Sequence, residues 1–439
     1  MFFLSLAHVY SRRFFPVSAC LLLLILSGCR KNKSDTSAPV IVFEQPNSGA
    51  SFFYQDAIPV KASVTDDREL VSIRIQITNA ANQSFLNEIN YQNAGSSKNI
   101  NEIIFNSNLY LFSGTYYVKI TANDGENESV AFREIQLNEA PKILDRVYSI
   151  TQTSSDFIEI DSINTTGFHS HLSFNALYGK GNLNSRNSNC AIANSNNGNI
   201  HVLEFPELIS QGSWPGNTSV SNYFTSSFYD ENNYEYFVGS ADGKVWKIRG
   251  TGIINLATSS INNDQVKLIE VTTNYIYTLT TSLIGVRYIN VYHRSTGAIY
   301  HSLQVYYDIK GMIEMTDENH ILVVGNDVSS KFEIYNNETN VLNGVFNFYN
   351  SQPVTALWRG SQGNFYVHHA DGITYYANNL DSFSVGVNIL PTEIKYEPLS
   401  NLVYAVAADG LHLLNMQAST ELLFLPKSNM KDIWFHYNK

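Results

Sequence analysis

Short apolar, strand-like segments return along the second two-thirds of this chain at a nearly constant interval. Those at Cys190, Tyr236, Ile276, Ile321, Phe365 and Val403 are 46, 40, 45, 44 and 38 residues apart. A turn returns with them. Phe237-Val238-Gly239-Ser240-Ala241-Asp242-Gly243-Lys244 aligns with Tyr366-Val367-His368-His369-Ala370-Asp371-Gly372-Ile373 and with Ala405-Val406-Ala407-Ala408-Asp409-Gly410-Leu411, and Ala193-Asn194-Ser195-Asn196-Asn197-Gly198 is a looser copy. Asp-Gly between apolar strands favours positive φ, the backbone that closes a tight hairpin. A unit of this length holds about four short strands and cannot bury both its faces alone, so its copies must stack on one another.

Four strands every 40 to 45 residues is the period of a propeller blade. About 43 residues before Cys190 lies Val147, in an apolar run over 143–150 followed by Phe157-Ile158-Glu159-Ile160. This is a seventh hairpin with no inner strand before it. Asp432-Ile433-Trp434-Phe435-His436-Tyr437 is the converse, a strand with no hairpin after it. The expectation is a seven-bladed β-propeller in which the C-terminal strand completes the first blade, leaving no sheet edge free. One blade reads as 266–271, 275–279 paired with 288–292, and 298–303. Residues 141–439 thus resemble the broad propeller group that includes the WD40-like and quinoprotein-like families. Tyr292-His293-Arg294-Ser295-Thr296-Gly297 is similar to the strand-turn of quinoprotein repeats, and no Trp-Asp dipeptide ends the strands.

Before the repeat, residues 39–139 alternate with period two. In Val71-Ser72-Ile73-Arg74-Ile75-Gln76-Ile77 the isoleucines fall on one face and Arg74 and Gln76 on the other. Six or seven such strands in about 100 residues predict an antiparallel sandwich. The stretches Val64-Thr65-Asp66-Asp67-Arg68-Glu69-Leu70 and Thr121-Ala122-Asn123-Asp124-Gly125 resemble those of bacterial immunoglobulin-like modules. Asp66, Asp67 and Asp124 carry oxygens that suit calcium, but turn chemistry accounts for the same residues. Overall the chain is expected to be all-β, an immunoglobulin-like β-sandwich followed by the propeller at 140–439.

The start of the chain is of another kind. An apolar stretch of about 13 residues, 14–26, follows Arg12-Arg13 and ends in Leu26-Ser27-Gly28-Cys29. It falls short of the roughly 20 residues needed to span a bilayer. Leu26-Ser27-Gly28-Cys29 resembles the lipobox of bacterial lipoproteins of the Bacteroidetes type. That resemblance implies a signal peptide over 1–28, diacylglycerol and a further acyl chain such as palmitate on Cys29, a flexible tether over 29–38, and a cell-envelope location at the outer membrane. Arg12-Arg13 also sits in a partial twin-arginine pattern. Removing 1–28 strips two arginines and no acids, taking the formal charge from −11 to −13. An acidic chain lacks the basic footprint that nucleic acid requires. Cys20 leaves with the signal and Cys29 takes lipid, so Cys190 has no disulfide partner and reads as a small buried hydrophobe.

No nucleophile elbow, phosphate loop or zinc-binding helix occurs. Ser240-Ala241-Asp242-Gly243-Lys244-Val245-Trp246 resembles the Asp-box turn of sialidase-type propellers with one residue missing, and that turn is structural in its own family. His169-Ser170-His171 and His368-His369 lack a third converging metal ligand. No metal or other cofactor is therefore expected. In a propeller, the turns between second and third strands and the connections between blades emerge on one face. Trp214, read as lying in such a connection, Asp242, Tyr307, Tyr349, His369, Asp371 and Asp409 are the binding candidates of that face. The expected role is a non-enzymatic envelope protein that touches the membrane through its Cys29 lipid and binds a protein or glycan partner. An envelope hydrolase or lyase is the alternative, because rings of this kind also host enzymes.

Overall fold

The computed structural model describes residues 35–216, 220, 222–259, 264–315, 317–344, 352–360, 364–377, 382–385, 389–415 and 419–439, without the side chains of Ser170, His171 and 382–385. Cys29, the signal segment and Tyr349 lie outside them. The described residues are all strand and loop, in two compact units that meet in sequence at Pro141 and Lys142.

In the first unit, a sheet of Val40–Gln45, Ala57–Thr65 and Ser97–Phe105 faces one of Ala50–Phe52, Glu128–Leu137, Gly114–Asn123, Ser72–Thr78 and Ile89–Gln92. The alternation read in the sequence is what builds the interior. Ile73, Ile75 and Ile77 are fully buried with Ile58, Val60, Val118 and Ile120, while Arg74 points outward. Each such side chain contributes about 1.5–3 kcal/mol by leaving water.

The second unit consists of four-stranded antiparallel sheets that follow one another in the chain. Their first strands are Tyr178–Asn184, Phe224–Asp230, Gln265–Val271, Asp308–Glu314, Val354–Arg359 and Pro391–Glu397, and Met430–Tyr437 plays the same part for the sheet of Leu144–Gln152, Phe157–Asn164 and Gly167–Asn175. Each first strand contacts the next, and Met430–Tyr437 contacts both Pro391–Glu397 and Tyr178–Asn184. This is the closed arrangement of a β-propeller. The last strand pairs with Leu144–Gln152 in the register Trp434↔Tyr148 and Phe435↔Val147. Both faces of an inner strand are covered, because each sheet is sandwiched between two others. Ile433 therefore packs with Tyr404 and Leu425 of one neighbour, while Trp434 packs with Ile160 and Tyr178 on the other side.

The first strands share a second feature that no residue pattern announces. Every one slips register near its N-terminal end, between Tyr178 and Lys180, Phe224 and Ser226, Val266 and Leu268, Ile309 and Gly311, Val354 and Ala356, Pro391 and Glu393, and Met430 and Asp432. Such bulges sharpen strand twist, and here they recur at one level of the ring. At one position close approach there excludes a side chain: a Cβ on Gly311 would lie 2.4 Å from the Leu357 Cβ.

Candidate binding site

On the face chosen from the sequence, two of the three turn aspartates are bonded to neighbouring side chains. Asp242 Oδ1 accepts the Tyr223 hydroxyl at 2.8 Å and the Ser240 hydroxyl at 2.5 Å, and Oδ2 meets Lys244 Nζ at 2.5 Å. Burial opposes ionisation of Asp242, but these bonds outweigh it and hold the carboxyl below its ordinary value. Gly243 follows at φ +82°, where an added Cβ would sit 2.9 Å from the Asp264 carbonyl oxygen. Asp409 is paired with His412 Nε2 at 3.0 Å, a bond that lowers its pKa, and His412 Nδ1 meets Glu421 at 2.7 Å. Asp371 is exposed at its hairpin tip.

Three other candidates differ from expectation, two in burial and one in position. Tyr307 is only 6% exposed and packs with Tyr277, Met312 and Tyr335, under Lys331 Nζ at 4.4 Å, whereas the adjacent Tyr306 is 83% exposed. His369 is fully buried, with Nδ1 3.2 Å from the Gln352 carbonyl, and burial lowers its pKa. A pair of neighbouring tyrosines at the entry to an inner strand must divide between core and solvent, and the sequence does not say which goes where. Trp214 ends the outer strand Ile209–Trp214 opposite Ile200 and leans on Trp246 at 5.0 Å, so it belongs to a sheet rather than to a connection. Through Trp246 and Tyr223 it joins the Asp242 neighbourhood, while Asp371 and Asp409 stand on other sheets.

The concave site is at the other end of the inner strands. A cavity of about 690 Å³ is lined by residues from each of the first strands named above and by segments that follow them, including Ser185, Arg186, Asn232, Tyr234 and Pro398. It therefore opens opposite the face of the Ala-Asp-Gly turns. Glu270, 4% exposed at its side chain, is its most constrained group. One carboxylate oxygen meets Arg359 Nη2 and also accepts the Glu314 amide at 2.9 Å, while Arg359 Nη1 lies 3.8 Å from Glu314. Burial pushes the Glu270 carboxyl up to about 7 against the pull of Arg359, and burial also raises Glu314. Across the ring, Asp432 takes Lys395 Nζ at 2.6 Å and the Tyr178 hydroxyl at 2.5 Å. Trp358, Tyr229, Tyr234 and Tyr396 add half-buried aromatic faces.

Cross-sheet anchors hold the walls. Arg294, in the turn singled out at Tyr292–Gly297, is 9% exposed and sends Nη2 to Asp230 and Glu235 at 2.6 Å each, with Nη1 on the Thr272 carbonyl at 2.8 Å. A Cβ on Gly297 would meet the Leu256 oxygen at 1.7 Å, so the turn is seated against its neighbour.

The His368-His369 pair and the sandwich residues Asp66 and Asp124, weighed as metal ligands, have protein partners. His368 Nε2 lies 3.0 Å from the Ile389 carbonyl and Nδ1 against Thr355 Oγ1, and burial favours its neutral form. In the sandwich, carboxylate oxygens of Asp66 and Asp124 come within 4.8 Å of each other and of Asp35, with Asp67 outside the group. Arg68 Nε sits 2.9 Å from Asp35 Oδ2, so a guanidinium supplies positive charge there. Asp66 accepts the Arg68 amide, and Asp124 those of Glu126 and Asn127, as turn residues do.

No protein-family model and no curated protein matches this chain. Solved structures do. A computationally designed protein, Ika8, aligns with a TM-score of 0.46 at 14% identity over 65% of this chain and 85% of its own. The beta-propeller domain of Cps50 (Swd1) from Myceliophteria thermophila aligns with a TM-score of 0.45 at 10% identity over 58% of this chain and 88% of its own.

Proposed function

We propose that this is a lipid-anchored protein of a bacterial envelope, in which Cys29 carries the lipid and an immunoglobulin-like sandwich precedes a seven-bladed propeller. Its role is to bind a glycan without transforming it, at the cavity formed by the ends of the inner strands. The observation that carries this reading is the cavity itself. Its volume lies in the range of small-ligand sites, and it combines aromatic faces with many hydrogen-bonding side chains, the mixture that sugar rings and hydroxyls require. Glu270 and Glu314 share one guanidinium, which fixes both in place.

One observation favours the enzymatic alternative. A buried carboxyl whose pKa stands near neutrality, as at Glu270, is what general acid catalysis needs, and a second carboxyl, Glu314, lies beside it. A screen of the purified protein against envelope and plant polysaccharides separates the two readings. Retention of a glycan with no released product supports the binder, and reducing ends accumulating over time would replace it with a hydrolase or lyase. Anchoring has its own test: Cys29→Ala is expected to leave the protein soluble or uncleaved, and a membrane-bound, lipid-labelled variant would reject the anchor.

A further inference from the structure

The cavity's charges are unevenly placed around and along the ring. Lys180, Lys267 and Lys310 each occupy the third residue of an inner strand, at the level of the bulges, where Glu393 and Asp432 stand on the remaining arc, whereas Asp230, Glu270 and Glu314 occupy the sixth or seventh. Three of four consecutive inner strands thus bring an ammonium to one level, with Ser226 between the first two. The carboxylate end is internally neutralised, since Asp230 is held by Arg294 and Glu270 and Glu314 by Arg359. The lysine end is neutralised only in part. Lys310 pairs with Asp308 at 2.7 Å and Lys395 with Asp432, while among the described residues Lys267 reaches the neutral amide of Gln265. Lys180 forms no ion pair among the described residues; Glu393 faces it, together with Lys395 and Asp432, and burial drives the Glu393 carboxyl toward its neutral form.

Resting on the glycan-binding reading above, we infer that the cavity selects an acidic saccharide, whose carboxylate is held between Lys180 and Lys267 while its rings lie toward Trp358 and Tyr396. Charge-assisted hydrogen bonds to a carboxylate are about twice as strong as neutral ones. The mature chain's formal charge of −13 (26 basic against 39 acidic residues) disfavours polyanions in general, so preference for an acid must arise locally, inside the ring.

The test is calorimetric titration of the full mature protein in detergent with a galacturonic-acid trimer and with the neutral galactose trimer. The acidic trimer is expected to bind at least tenfold more tightly, and to lose that advantage between 50 and 500 mM salt, roughly the range over which exposed charge pairs are screened. Lys180→Gln and Lys267→Gln should each weaken the acidic trimer about tenfold and leave the neutral one within twofold; Lys267→Arg should restore the preference. Equal affinity for the two trimers, or variants that weaken both alike, overturns acid selection while leaving glycan binding standing. Failure of both trimers to bind overturns the inference as well. Cleavage of the acidic trimer would overturn the non-enzymatic reading yet leave the lysine site intact.

Discussion

The two faces of the ring differ in what repetition means. On one, the Ala-Asp-Gly turn is repeated almost letter for letter, and two of its three aspartates are tied into their surroundings, Asp242 by Ser240, Lys244 and Tyr223 and Asp409 by His412, while Asp371 is exposed. On the other, the backbone repeats while the side chains do not, and there the cavity lies. A repeated residue in a repeated fold marks what every copy needs in order to fold. A site needs residues that differ from copy to copy, because a ring of identical side chains would present the same chemistry in every direction.

The largest way to break this contrast is to remove an inner strand. Deleting 428–439 takes away Ile433 and Trp434, both buried, and leaves the sheet of Leu144–Gln152 with an open edge at the centre of the ring. The truncated chain should lose cooperative melting of its second unit, and a truncation that melts like the intact protein would refute the closure. Next comes Arg359→Ala. It strands the buried Glu270 carboxyl without its cation, at a cost of about 2–3 kcal/mol, the low end for a broken buried pair because Arg359 itself is partly exposed. Asp371→Ala, at an exposed turn tip, should stay within about 0.5 kcal/mol in the same denaturant titration. Equal losses would erase the distinction between the faces. Asp242→Ala should fall between them at about 1–2 kcal/mol, since it removes hydrogen bonds inside a turn but leaves no buried charge.

A smaller effect follows from pH. The Glu270 carboxyl titrates near 4.5 when unfolded and at about 7 in the native cavity. Between those values the folded protein holds a proton that the unfolded chain has released, so this group's contribution to stability is full below pH 4.5 and declines as pH rises to 7. Glu270→Gln should flatten that part of the melting-temperature profile, and an unchanged slope would assign the effect to another group. Smallest of all, Cys190 should not react with iodoacetamide in the native state, because burial pushes its thiol up to about 12.

Much of the fold was legible because it rests on periodicity. Ile73, Ile75 and Ile77 show their buried face through alternation, the spacing from Cys190 to Val403 shows the repeat, and the orphan strand ending at Tyr437 shows the closure. The cavity was not legible because its signal crosses strands rather than running along one. Lys180, Lys267 and Lys310 are ordinary lysines until the inner strands are aligned at their bulges, and the bulges themselves have no fixed residue type. Trp214 was misplaced because a short aromatic segment beside a turn has the same composition whether it ends a strand or crosses between sheets; Tyr307 does lie in a connection, and what the sequence left open was its burial.

The most direct measurement compares the two faces with one ligand. In a titration with the glycan retained in the screen, Trp358→Ala, which alters the cavity wall, should weaken binding at least tenfold, while Trp214→Ala, beside the hairpin turns, should leave it unchanged. Loss of binding in Trp214→Ala with full binding in Trp358→Ala, both variants melting like the parent, would move the site to the turn face and contradict the central claim.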